Sequence, residues 1–235
     1  MSTMHVGVVT FGQRGATGVT GDLQMRVPGV TFEEVGLLDG VPPQRLREWV
    51  TDPNSTEATI VRGDGGGELS LQPAPLLARL PAAIDALAAG RPDAIVFGCA
   101  GPLPELAVPC LSVNPFALLR AFVDAVLPAG RVAIIVPSPL HVAPTQARYA
   151  SATRAVACRS ASPHDLDAVT QALAAGAAEG ATLGVLACFD HTEEDLAAAR
   201  RAAAVPVVSS RALSATALAA LFAGPIEESG ALRQA

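Results

Sequence analysis

Two cysteines stand 89 positions apart, each closing a short apolar run: Asp93-Ala-Ile-Val-Phe-Gly-Cys99-Ala-Gly and Thr182-Leu-Gly-Val-Leu-Ala-Cys188-Phe-Asp-His. A thiolate is both a base and a nucleophile. Two thiols on opposite sides of a cleft can work on one carbon from opposite faces, one removing a proton and the other donating one, and the product is an inverted stereocentre. That scheme needs neither a metal nor pyridoxal. All 16 basic side chains are Arg and the chain has no Lys, so lysine-dependent pyridoxal chemistry is excluded. The bland alternative for either cysteine alone is a buried core thiol; their matched placement favours function. Cys110 and Cys158 lie in apolar, strand-like runs and read as small hydrophobes. No two cysteines have the short spacing of a structural zinc site, and no metal is expected.

The residues around the thiols extend the picture. A helix start after each cysteine is expected, which would lower its pKa. Ala100 and Gly101 after Cys99, and Phe189 after Cys188, offer backbone N–H groups on which a carboxylate could dock. His191 has two readings: an imidazole that tunes Cys188, or a polar residue at the start of a helix capped by Asp190 or Thr192. The acids Glu193, Glu194 and Asp195 fit a helix N-terminus. His5, His141 and His164 have no metal-ligand spacing and are assigned surface or loop roles.

Short apolar runs alternating with helical patterns must position these groups, which argues for an α/β fold with parallel sheets. Each cysteine then sits at a strand's carboxyl end, where open α/β sheets place their ligand sites. His5 to Phe11 reads as a first strand entering the loop Gly12-Gln-Arg-Gly-Ala-Thr-Gly18, which could cradle an anion but matches neither a dinucleotide fingerprint nor a P-loop. Val30 to Leu38 is a second strand, and Pro42 to Val50 a short helix. The segments Glu57 to Arg62 and Glu68 to Gln72 flank glycines and read as an appended hairpin. Pro75 to Ala89 has helical period and leads into the Cys99 strand.

Gly130-Arg131 opens a second half of the same plan. Val132 to Val136 is its first strand, ending in Pro137-Ser138, so that Ser138 and Thr10 become corresponding loop residues. Ala152 to Cys158 is a further strand, and Ser162-Pro163 is expected to cap the helix before the Cys188 strand. The expected lobes are 1–128 with 212–235, carrying the hairpin insertion at about 52–72, and 129–211. The tail beyond Gly224 is expected to fray.

At 235 residues, half of them hydrophobic, the chain can bury a large core. Its apolar runs are broken within about 8 residues, so no membrane span is expected. The start enters Val6-Gly-Val-Val without a basic segment or cleavage pattern, and a cytoplasmic location follows as the expectation. A net charge of -6 with scattered Arg provides no basic patch for nucleic acid. An Ala- and Leu-rich helical surface is compatible with a homodimer.

The paired segments Val96-Phe-Gly-Cys99-Ala-Gly and Leu186-Ala-Cys188-Phe-Asp-His resemble those of the aspartate/glutamate racemase superfamily. Within it, the chain is most similar to the AroM-like branch, through Gly36-Leu-Leu-Asp-Gly40, Arg62-Gly-Asp-Gly, Ala133-Ile-Ile-Val-Pro-Ser and Val205-Pro-Val-Val-Ser-Ser-Arg. The resemblance implies two flavodoxin-like three-layer α/β/α lobes related by a pseudo-twofold axis, with a cofactor-free site between them for a small-molecule carboxylate. Cys99 and Cys188 match the catalytic cysteines. Thr10, Gly12, Ala100, Gly101, Ser138 and Phe189 match positions that hold the substrate carboxylate, with Gln13, Asp190 and His191 beside them as substrate-binding candidates. The amino-acid racemases usually carry Asn-Thr and Thr-His after their cysteines; here Ala-Gly and Phe-Asp stand in those places. Racemisation or epimerisation is the implied reaction; decarboxylation or cis-trans isomerisation using Cys188, and ligand binding without turnover, are the alternatives.

Overall fold

The computed structural model describes residues 4–52, 55, 58–63 and 67–222. The segment at 64–66, between the two expected hairpin strands, and the tail beyond 222, where fraying is expected, lie outside the described residues. In chain order the first half holds β1 (Met4–Thr10), α1 (Val19–Arg26), β2 (Val30–Gly36), α2 (Pro43–Trp49), β3 (Thr59–Arg62), β4 (Glu68–Leu71), α3 (Pro73–Leu77), α4 (Leu80–Ala88), β5 (Ala94–Gly98), β6 (Leu111–Val113) and α5 (Pro115–Val126). The second holds β7 (Gly130–Val136), a 3-10 turn at Pro139–His141, α6 (Val142–Tyr149), β8 (Arg154–Ser160), α7 (Leu166–Ala178), β9 (Leu183–Leu186), α8 (Glu193–Ala202), β10 (Val207–Ser209) and α9 (Ser210–Phe222).

The strands form two four-stranded parallel sheets, ordered β2-β1-β5-β6 and β8-β7-β9-β10. The same order recurs, so the repeat read in the sequence is a repeat of topology. Helices cover both faces of each sheet, which is why Val6, Val8 and Val9, like Val132 to Ile135, are buried without alternation. The register corrects one expected correspondence. Thr10 pairs with Gly98, next to Cys99, whereas Ile135 pairs with Leu186, two residues before Cys188. Thr10 is therefore equivalent to Val136, and Ser138 to Gly12.

Three further expectations change. Pro75 to Ala89 is two helices, because Pro81, in the first turn of α4, has no N–H to offer the Leu77 carbonyl. Ser162 does not cap α7: its oxygen accepts the His164 N–H, and Asp165 caps instead, accepting from Ala168. Cys110 lies in a bend just ahead of β6 rather than within a strand.

The two lobes exchange helices. α5 follows the first sheet, yet Leu119 and Val123 sit in one core with Val132, Ile134 and Val185 of the second. α9 follows the second sheet, yet Ala215 and Leu218 pack with Val6, Val8 and Val96 of the first. Ion pairs of α1 also join the halves, Arg26 with Glu193 and Asp22 with Arg211. β3 and β4 form the antiparallel hairpin. It reaches the second lobe, where Arg62 Nε donates to His164 Nε2 at 2.9 Å and Ser162 Oγ donates to Glu68 at 3.3 Å.

Candidate active site

Parallel strands end together, so the loops after β1, β5, β7 and β9 meet in one place. They line a cavity of about 390 Å³ between the lobes, roofed by the hairpin segment Ala58 to Arg62. Cys99 and Cys188 both face it. Of the other expected site residues, Thr10, Gly12, Ala100, Gly101, Phe189 and Asp190 line the cavity. Gln13, Ser138 and His191 are not part of its wall.

The thiol environments repeat as the strands do. The N–H two residues on faces each sulfur: Gly101 N lies 3.3 Å from Cys99 Sγ, and the Asp190 N–H does the same for Cys188. One residue breaks the symmetry, since position 101 has no side chain and its equivalent, 190, carries a carboxylate. Burial pushes Cys99 up to about 11, opposed by the Gly101 N–H and reinforced by the charge of Asp190. Cys188 is pushed higher still, by burial first and then by Asp190; its N–H contact opposes this, a charge on Cys99 adds to it and Arg211 opposes it. The expected lowering by helix starts is therefore absent. An irregular segment follows Cys99, and α8 begins five residues beyond Cys188. Asp190 is itself raised, through burial, with Arg211, His164 and Arg62 opposing and Glu68 adding.

The glycine loop after β1 does not present a free anion cradle. Glu34 accepts the Gly15 N–H and the Thr10 hydroxyl, each at 3.0 Å, and Asp39 accepts the N–H groups of Arg14 and Gly36. The protein's own carboxylates occupy those donors. Gly12 is needed for space, because a Cβ there would fall 2.2 Å from the Arg62 carbonyl. Ser138 Oγ accepts the Leu140 N–H and so opens the 3-10 turn. His191 precedes the Thr192 cap of α8, whose capping box with Asp195 satisfies two backbone donors. Burial drives the pKa of His191 down to about 4, so it is neutral, and its Nδ1 has no partner among the described residues.

Several residues escaped the sequence reading. Ser210 Oγ donates to the Cys188 carbonyl, and Arg211 Nε to the Phe189 carbonyl at 2.7 Å, with the guanidinium 5.5 Å from the Phe189 ring centroid. The same Arg211 bonds Thr17 O and Asp22. The polar Ser-Ser-Arg run closing an apolar strand was the available signal. Arg62, His141, Thr145 and Arg148 also line the cavity or its rim. Among the described residues no group of three His, Cys, Asp or Glu could hold a metal ion, and no helix is long and apolar enough to cross a membrane.

Residues 6–222 match the family described as AroM protein. No curated protein matches the chain. Solved structures do, over almost its whole length. An arylmalonate decarboxylase is 16% identical with a TM-score of 0.57, covering 94% of each chain. The maleate isomerase of Pseudomonas putida is 14% identical with a TM-score of 0.58, covering 94% of this chain and 93% of that one. The aspartate racemase of Picrophilus torridus is 12% identical with a TM-score of 0.56, covering 93% and 94%. At these identities the likeness shows the two-lobed fold of the aspartate/glutamate racemase superfamily, whose solved members include racemases, isomerases and a decarboxylase.

Proposed function

We propose that this chain, which belongs to the AroM protein family, is a cofactor-independent racemase or epimerase of a small carboxylate, with Cys99 and Cys188 as its acid-base pair. The observation that carries the reading is the placement of both thiols at equivalent strand ends on one cavity. The Ala100 and Phe189 N–H groups, equivalent across the lobes and without partners among the described residues, are where a substrate carboxylate would dock.

Asp190 assigns the roles. Cys188, with the Asp190 carboxylate two residues on, holds its proton more tightly and serves as the acid; Cys99, whose equivalent position 101 is a glycine, is the easier thiolate and serves as the base. The Cα proton passes to Cys99 as the Cys188 proton reaches the opposite face. Cys99 ends as thiol and Cys188 as thiolate, which is the starting state for the reverse reaction. A second reading has an observation of its own. A firmly protonated Cys188 alone would suffice to protonate the carbanion left by decarboxylation.

The test is α-proton exchange in heavy water, followed by NMR, over amino acids, hydantoins and 2-substituted carboxylates. Under the two-thiol scheme Cys99→Ser and Cys188→Ser each abolish turnover. Activity that survives Cys99→Ser and is lost in Cys188→Ser moves the assignment to the one-cysteine reaction. Ligand binding unaffected by either, with no turnover of any compound, makes the chain a binding protein.

A further inference from the structure

Away from the thiols, one wall of the cavity carries polar groups that the acid-base scheme does not use. His141, Thr145 and Arg148 follow one another at spacings of four and three across the 3-10 turn and α6, so they share one helical face, and all three line the cavity. Thr145 is buried, and His141 Nδ1 is buried without a partner among the described residues. Arg148 has no carboxylate partner among the described residues, and its guanidinium lies 5.7 Å from the centroid of Phe116, which also lines the cavity. A basic residue in the last turn of a helix suits the helix dipole wherever it points. That accounts for the charge but not for an orphaned imidazole nitrogen beside it.

We propose that this α6 face is a second subsite, which binds a distal anionic group of an elongated substrate, with Arg148 as its countercharge and His141 and Thr145 as hydrogen-bonding partners. The inference rests on the cavity being the substrate site and adds that the substrate has two anionic ends. One end docks on the Ala100 and Phe189 N–H groups beside the thiols and the other lies against α6. The cavity also carries the apolar side chains of Phe116, Leu140 and Val136, which suit a hydrocarbon or aromatic spacer. A cavity of about 390 Å³ falls in the range of roughly 300–1,000 Å³ that holds such ligands.

The experiment pairs dianions with monoanions of the same frame: adipate against hexanoate, and 4-carboxyphenylacetate against phenylacetate. Each is titrated calorimetrically into the 235-residue chain at low ionic strength. The expected result for at least one pair is a dianion preference of about ten-fold, the size of one charge-assisted contact. Arg148→Gln should erase that preference while leaving the monoanion's affinity unchanged, and Arg148→Lys should restore part of it. A preference that survives Arg148→Gln, or no preference in either pair, overturns the subsite. The Cys99→Ser/Cys188→Ser protein separates this failure from failure of the acid-base reading, because it should keep the dianion preference whatever the fate of turnover.

Discussion

At the residue scale, the outcome turns on Asp190. Burial raises both thiols, so under the proposed two-thiol scheme the fraction of Cys99 available as base grows with pH. kcat/KM should rise about ten-fold per pH unit and level off only as pH approaches the Cys99 value of about 11. Asp190→Asn removes the negative charge that raises both thiols. The expected outcome is a plateau at lower pH and faster alkylation of Cys188 by iodoacetamide; unchanged pH and alkylation profiles would remove Asp190 from the scheme. Arg211 acts one step back, as a positioning residue. Arg211→Ala leaves the mostly buried Asp22 without its partner and should cost roughly 3–5 kcal/mol in denaturant unfolding. Arg211→Lys keeps the charge but loses the Nε–H that holds the Phe189 carbonyl, so kcat should fall with little change in KM. The thiols were legible in the sequence because apolar runs repeat along the chain. Arg211, Arg148 and His141 were not, since their partners lie on other elements and only folding brings them together.

At the element scale, strand and hairpin assignments were legible from local pattern, and the misses share one cause. Ser162 and the segment after Cys99 were read by type, and Pro81 was passed over inside a helical period, without asking which backbone donors each must satisfy or lacks. Ser162 spends its oxygen on a local turn and on Glu68, leaving the cap to Asp165. Close packing of helix on sheet was equally invisible. A Cβ at Gly176 of α7 would lie 2.5 Å from Ala133 Cβ of β7. Gly176→Ala should therefore destabilise by roughly 1–3 kcal/mol, read as a lower midpoint in urea at unchanged slope. An unchanged midpoint would mean that α7 can shift outward at no cost.

At the scale of the whole molecule, the exchanged helices make the lobes interdependent. Removing either would strip the other's core of α5 or α9. The chain has one Trp, Trp49 in α2, and one Tyr, Tyr149 in α6. Trp49 fluorescence and Tyr149 near-ultraviolet dichroism should report one coincident unfolding transition; two separated transitions would show that the exchange does not couple the halves. The expected division, 1–128 with 212–235 and 129–211, gives α9 to the first lobe but keeps α5 there too, whereas α5 packs into the second core; the exchange depends on which sheet a helix covers and not on which strand it follows. The pseudo-twofold is broken where Gly101 in one half corresponds to Asp190 in the other. Mirror-image substrates have equal free energy in solution, so a racemase must have the same kcat/KM in both directions whatever its site looks like. The extra carboxylate on one side can only make one enantiomer bind more tightly and react more slowly by the same factor.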